Sequence, residues 1–286
     1  MGAFTDADWK ILVKRIRAKA CTPFLGAGAC IGTLPLGKDI AQAWANEYKY
    51  PFSNREDLVQ VAQYLAILHD RRFPKDLLLS QFSGVGPPNF HGPNEPHGLL
   101  ADLKLPLYMT TNYDDFMTRA LKSRDSDPRR VLCRWSPLLS DEPSVFDDTP
   151  PFNPTPANPV VYHLHGHNEN PLSLVLTEDD YLEFLANLAR TPDLLPPRVT
   201  RAISQTSLLF IGYSVDDINF RVLFQLLRPD VTAQSFAVMF RSYRTEEERI
   251  SAEKYLDQYY DKLQMKIYWG TANEFAAELR AQLQKG

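Results

Sequence analysis

Residues 22–32 read TPFLGAGACIG, a short apolar run that ends abruptly in glycine and small residues. Such a run suits a buried strand that stops in a tight turn, with Gly26, Ala27 and Gly28 at the bend. The same grammar recurs at LPLYMTTN (105–112), VVYHLH (160–165) and SLLFIGYS (207–214), each ending in glycine or small polar residues. Between these strands lie segments with helical spacing. Residues 6–20 place Trp9, Leu12, Val13 and Ile16 on one face. Further helices are expected over Lys38–Tyr48, over 55–82 with a break near Pro74, over 114–121, through Tyr181 and Phe184, and from Asp216 onward. After a strand at 174–177 and another at 235–240 come a long helix, the strand KIYW (266–269) and a last helix.

Strands alternating with helices predict an α/β fold, a mostly parallel sheet with helices on both faces. Residues 36–105 hold helices and no clear strand, so a helical insertion is expected over about 36–104. The core would then occupy about 20–35 and 105–286, all within a single domain over 1–286. Two loops stand out, the Pro-, Gly- and Asn-rich 83–98 and the proline-rich 136–159. Ligands of such folds bind beyond the carboxyl ends of the strands, so four strand ends point to one crevice.

Composition bounds the chemistry. The 286 residues are 44% hydrophobic and 23% charged, enough to bury a core. A net charge of −4, with Lys and Arg scattered in short groups, predicts no dedicated nucleic-acid surface. Cys21, Cys30 and Cys133 stand far apart, which removes both a disulfide framework and a cysteine-built zinc site. No segment reads as a signal peptide or a membrane span, so a cytoplasmic location is expected.

Four polar motifs sit at the strand ends. The first, GAGACIG (26–32), would let the backbone approach a pyrophosphate, or it is simply a tight strand-to-helix turn; the fingerprint G-x-G-x-x-G is not met because residue 31 is Ile. The second, TTNYDD (110–115), offers Asn112 to hold a water or a ribose hydroxyl and an Asp to accept from a carboxamide, with helix capping as the other reading. The third, HLHGH (163–167), would project alternate histidines from one strand face. A His-x-His metal site is one outcome, but the metallo-hydrolase continuation fails at Asn168, so no metal is expected. One histidine as general base, with His163 or His167 structural, fits better. The fourth is Gly212-Tyr213-Ser214 followed by Asp216-Asp217, suited to nucleotide contact; a G-x-S-x-G elbow fails at Asp216.

In this order, FLGAGACIGTLPLGKDIA, YMTTNYDDFMTRAL, VYHLHGH and LFIGYSVDDIN resemble the sirtuin-like superfamily, and most of all its prokaryotic defence-associated branch. The likeness spans about residues 20–270. It implies a Rossmann-like domain for NAD⁺ carrying an inserted helical module. By this resemblance Gly26, Ala27 and Gly28, with Cys30 beside them, take the phosphate-binding positions. Asn112 and His165 take the two catalytic ones, Thr111 stands where Gln is usual, Asp114 reads the nicotinamide amide, and Gly212 and Ser214 face the adenosine half. The chain departs from protein-deacylating sirtuins in lacking their four-cysteine zinc module and their Asp-Phe-Arg segment, since Leu36-Gly37-Lys38 follow Pro35.

The resemblance therefore implies a NAD⁺ glycohydrolase that releases nicotinamide and ADP-ribose during phage defence. Protein deacylation, ADP-ribosyl transfer and non-catalytic NAD⁺ or ADP-ribose binding are the alternatives. It also implies control by self-assembly or by a partner chain, such as a hexameric DNA-translocating ATPase or a short Argonaute, with any sensor expected on another chain.

Overall fold

The computed structural model describes residues 4–214, 218–227, 233–240 and 245–285. Seven strands form one sheet in the order β3-β4-β2-β1-β5-β6-β7: β1 Cys21–Leu25, β2 Leu107–Thr110, β3 Arg129–Leu132, β4 Val160–His163, β5 Ser207–Tyr213, β6 Ser235–Met239 and β7 Met265–Trp269. Every pairing is parallel. The α/β expectation is met, and the sheet is wholly rather than mostly parallel.

Burial on both faces explains the strand sequences. Along β5, Leu209 and Ile211 enter one apolar cluster, with Trp9, Leu12, Tyr108 and Phe275. Leu208 and Phe210 enter a second cluster on the opposite face, with Phe24, Tyr162 and Phe184. A strand covered on both faces must be apolar at successive positions, which is why it reads as a continuous run. The covering helices begin where the sequence supplies caps. Capping boxes formed by Thr5 with Asp8, Thr177 with Asp180 and Thr271 with Glu274 start α1 (Asp6–Arg17), α7 (Glu178–Arg190) and α11 (Ala272–Gln284).

Between β1 and β2 lie α2 (Gly37–Glu47), α3 (Leu58–Leu68), α4 (Phe73–Phe82) and α5 (Pro96–Asp102). The break near Pro74 falls between α3 and α4. Helices α2–α4 hold a third apolar cluster, in which Ile40, Trp44, Val61, Leu65 and Leu78 close over Leu174 and Leu176. Helix α5 packs on the sheet instead, through Leu99, Leu100 and Ala101. The remaining helices are α6 (Phe116–Lys122), α8 (Pro197–Gln205), α9 (Ile218–Leu227) and α10 (Glu246–Lys262). Among the described residues, no helix is long and apolar enough to cross a membrane.

Three readings need correction. Strand β3 was not legible, because Arg129 and Arg130 lie exposed on an edge strand. Residues 174–177 do not join the sheet; they run beside the end of β4, with the Val175 amide donating to the His165 carbonyl at 3.0 Å. The strand begun at Val160 ends at His163 rather than at residue 165. The helix expected from Asp216 appears as α9, while Asp216 and Asp217 lie outside the described residues.

Strand order reverses at β1, with β2 on one side and β5 on the other. Leu25 pairs with both Thr110 and Ile211, and Thr110 pairs with His163. Four strands thus end level, and the residues following them share one rim.

Candidate active site

The rim is built by two interlocked turns. After β1 the chain bends through Gly26 into a 3₁₀ turn over Ala27–Cys30, and the Gly26 amide donates to the Ile211 carbonyl at 2.9 Å. Gly212 answers from the end of β5 with φ +86°, and a Cβ there would lie 2.3 Å from the Ala29 nitrogen. A Cβ on Gly26 or Gly28 would come within 2.8 Å of Gly212. Glycine is required at all three positions because backbone packs on backbone. The strand-to-turn reading is therefore met, and Ala27 and Gly28 of the turn line a cavity at the rim.

After β2, Asn112 donates from Nδ2 to the Gly26 carbonyl at 3.1 Å and to Cys30 Sγ at 3.4 Å. Its Oδ1 makes no hydrogen bond among the described residues. The capping role falls to Asp114, whose Oδ1 accepts from the Phe116 amide at 2.9 Å at the start of α6. The other oxygen, Oδ2, accepts from the Cys30 thiol at 3.3 Å. Thr111 and Tyr213 share a hydroxyl–hydroxyl bond of 2.9 Å, and Tyr213 also donates to the Leu25 carbonyl. Both strand-end tyrosine and threonine thus brace the rim.

The three histidines do not share a face. Because β4 stops at His163 and Gly166 turns the chain with φ +88°, His167 folds back against His163, ring centroids 4.8 Å apart. His163 Nδ1 contacts the Asn112 carbonyl at 3.2 Å, and the Arg130 guanidinium lies 3.3 Å from His167 Nδ1. A guanidinium in that place opposes a cation between these two rings. Burial, then the neighbouring His167, pushes His163 down to about 3, and burial with Arg130 pushes His167 to about 4.

His165 stands apart, packed edge-on against Tyr181 and Phe184 at 5.3 and 4.9 Å between centroids. Its ring nitrogens make no hydrogen bond among the described residues. Burial alone takes it down to about 3, so at neutral pH it is an uncharged ring with a free lone pair.

A cavity of about 590 Å³ opens at this rim, a size that suits a small-molecule ligand. Ala27, Gly28, Cys30, Thr111, Asn112, Asp114, His165, Gly212 and Ser214 all line it. Gly26 does not, but it fixes Asn112. On the far side Ile40, Leu58, Leu78 and Phe82 of the helical segment complete the wall. That segment is tied down by a buried cation: Lys75 Nζ meets Asp180 Oδ2 at 3.0 Å and the Leu174 carbonyl at 2.7 Å, and Arg71 joins Asp180 at 2.8 Å.

Two polar residues beneath the cavity went unread in the sequence. His97, in the first turn of α5, comes within 3.9 Å of Cys30 Sγ, and Glu95 holds its Nδ1 at 2.7 Å. Both lie at the end of the Pro- and Gly-rich stretch 83–98, where only a contact across 67 residues reveals them.

A family model described as a SIR2-like domain matches residues 106–263, more than half of the chain. The chain belongs to the SIR2-like family. Curated relatives include the NAD(+) hydrolase ThsA of Cytobacillus dafuensis, 25% identical over 77% of this chain and 40% of its own length. The proteins of the same name from Enterococcus faecium and Bacillus cereus are 26% and 24% identical, over 74% and 80% of this chain and 41% and 44% of theirs. This SIR2-like chain therefore spans about two fifths of the length of the relatives it matches. A solved structure concerned with the mechanism and regulation of Sir2 enzymes aligns over 98% of this chain and 96% of its own, with 12% identity and a TM-score of 0.46.

Proposed function

We propose that this SIR2-like chain hydrolyses NAD⁺ at the bond between nicotinamide and ribose. The observation that carries the reading is the convergence of Asn112, Asp114 and His165 with two glycine turns on one cavity, at the point where the strand order reverses. The name shared by the curated relatives supports it.

The chemistry follows from the charges. Breaking the glycosidic bond sends its electron pair to the nicotinamide nitrogen, which turns from pyridinium to neutral, and leaves an oxocarbenium-like ribose. Water then adds to that carbon and gives up a proton. The open turn at Ala27 and Gly28 brings the pyrophosphate close to the backbone, and Gly212 and Ser214 face the adenosine half. Asp114 accepts from the carboxamide. Asn112, pinned through Nδ2 to Gly26, offers Oδ1 to a water or a ribose hydroxyl, and pinning of this kind lowers the cost of reaching the reactive geometry.

His165 serves as the proton acceptor. A ring held near 3 cannot store a proton at neutral pH, so it polarises the hydroxyl or water and passes the proton on to water in the cavity. Deacylation is disfavoured because the sequence carries three cysteines, Cys21, Cys30 and Cys133, one short of a four-cysteine zinc module.

In this reading helices α2–α4 form an inserted module in a single catalytic domain. The enzyme acts in the cytoplasm in anti-phage defence, depleting NAD⁺. Its activity is held in check by assembly with its own copies or with a partner chain, of which a hexameric DNA-translocating ATPase and a short Argonaute are two forms. The loop at 83–98 is a route for such control, because its end carries Glu95 and His97 to Cys30.

Mass analysis of NAD⁺ incubated with the pure chain tests the reading. Nicotinamide with linear or cyclic ADP-ribose is expected, with turnover per chain rising as protein concentration rises. NAD⁺ bound but unchanged would make the chain a binding module. ADP-ribose attached to protein would make it a transferase.

A further inference from the structure

Beneath the cavity three buried side chains of different chemistry meet. Cys30 Sγ lies 3.3 Å from Asp114 Oδ2 and 3.9 Å from His97 Nε2, and one ligand atom from each residue falls within 4.8 Å of the others. We propose that Cys30, His97 and Asp114 bind a thiophilic divalent cation, Zn²⁺ being the best match, and that its occupation shuts down the cavity. The binding stands on the cluster itself; the shutdown rests on the NAD⁺ reading above.

Zinc holds sulfur at about 2.3 Å and nitrogen or oxygen at about 2.0–2.2 Å in a tetrahedron, which places donors about 3.3–3.6 Å apart. Cys30 and Asp114 already stand at that separation, and Cys30 and His97 at 3.9 Å need a few tenths of an ångström of closure. The remaining pair, His97 and Asp114, lies within 4.8 Å and closes by a turn of the His97 or Asp114 side chain. Three protein ligands leave a fourth position toward the cavity, which also gives the ion its way in.

The surroundings fit a metal as well as the ligands do. Glu95 engages His97 Nδ1 at 2.7 Å, which favours the tautomer whose Nδ1–H donates to the carboxylate and whose Nε2 lone pair faces Cys30. A carboxylate behind a histidine in this way is the usual outer support of a zinc ligand. Asp114 is buried, and no Lys or Arg pairs with it among the described residues. A thiolate and a carboxylate together balance the two charges of the ion, which a buried site requires. On binding, the thiol loses its proton to solvent and the sulfur pair goes to the metal.

Blocking follows from shared ligands. Asp114 is the residue assigned to the nicotinamide amide, and Cys30 is the sulfur to which Asn112 donates. A metal held by both takes the first out of substrate contact and reorients the second's neighbour.

The test is a Co²⁺ titration of the full chain without NAD⁺, read by the thiolate-to-cobalt charge-transfer band in the near ultraviolet, with Zn²⁺ as competitor. One equivalent should bind, and Zn²⁺ should displace it. Cys30→Ser, a one-atom change, should lack the band, whereas Cys133→Ala should keep it. Glu95→Gln should weaken binding about 10–100-fold. Asp114→Asn, which keeps the shape, provides a second ligand variant and should also weaken it. No saturable binding, or a band that survives Cys30→Ser, would overturn the site. Nicotinamide release that continues unchanged with one Zn²⁺ bound would overturn the shutdown. A chain that binds the metal but, metal-free, leaves NAD⁺ intact supports the site and refutes the NAD⁺ reading instead.

Discussion

The two walls of the cavity are held by different physics. On the sheet side, Gly26, Gly28 and Gly212 press backbone against backbone, and a single added carbon would meet an atom 2.3–2.8 Å away. On the helical side, Ile40, Leu58, Leu78 and Phe82 present flexible apolar side chains, and one buried ion pair, Lys75 with Asp180, ties α4 to α7. A wall without slack can hold Asn112 and Asp114 in fixed geometry. A wall of rotatable side chains can admit a ligand and close on it. The reacting groups therefore sit on the first wall, and substrate fit is shaped by the second.

The sharpest way to break this contrast is Gly212→Ala. Its φ of +86° strains any other residue, and the new carbon would strike the Ala29 nitrogen. Strain and overpacking together should cost about 4–6 kcal/mol. Gly32→Ala is the control. It has a similar φ of +87° but open space around it, and should cost only about 1–2 kcal/mol. Urea unfolding of the two variants compares them directly, and equal losses would mean that the interlock of the turns is not what requires glycine.

Asp180→Ala attacks the anchor of the other wall. It strands the Lys75 ammonium, 1% exposed, and should cost about 3–5 kcal/mol by chemical denaturation. Replacing Lys75 by Met in the same chain should restore much of that loss. Failure of the second change to help would show that the pair does not act as a unit.

A pH-dependent effect separates the histidines from both walls. His163, His165 and His167 are held far below their ordinary 6.5 by burial, with His167 and Arg130 adding to the shift for the paired rings. The unfolded chain takes up protons near 6.5 that the folded chain refuses, so stability is full above that value and falls as pH drops from 6.5 toward 5. The slope is up to about 1.4 kcal/mol per pH unit for each ring. Melting curves over this window should show the fall, and His163→Asn should reduce its slope by about a third. A flat profile in the parent protein would place charged histidines in the fold.

The mildest change tests what the helical wall does for the substrate. Leu58→Ala removes a half-buried side chain from the cavity lining and should cost about 1–2 kcal/mol of stability. In steady-state kinetics it should raise KM for NAD⁺ more than it lowers kcat. A selective fall in kcat would move catalytic positioning onto this wall.

Much of the sheet was legible because strands buried on both faces must be apolar throughout and must end abruptly. β1, β2, β4 and β5 obey that rule, and their level ends put nine of the ten chosen residues on one cavity. The illegible parts each have a local cause. Arg129 and Arg130 disguise an edge strand that needs only one covered side. The apolar stretch 174–177 is buried under α2–α4, not in the sheet, and burial alone does not distinguish the two. Alternation placed three histidines on one face, but Gly166 breaks the period, so His165 enters the cavity while its neighbours pair behind it. Glu95 and His97 sit in a sequence of turns, and their meeting with Cys30 exists only in three dimensions.

The most direct test of the central claim pairs NAD⁺ calorimetry with nicotinamide release for the parent chain and for His165→Ala. The variant should bind NAD⁺ within a few-fold of the parent and release nicotinamide about 10²–10⁴-fold more slowly, because the ring's role lies at proton transfer and not in ground-state binding. Release that proceeds undiminished, or binding that vanishes together with turnover, would contradict the assignment of His165 as the proton acceptor of this site.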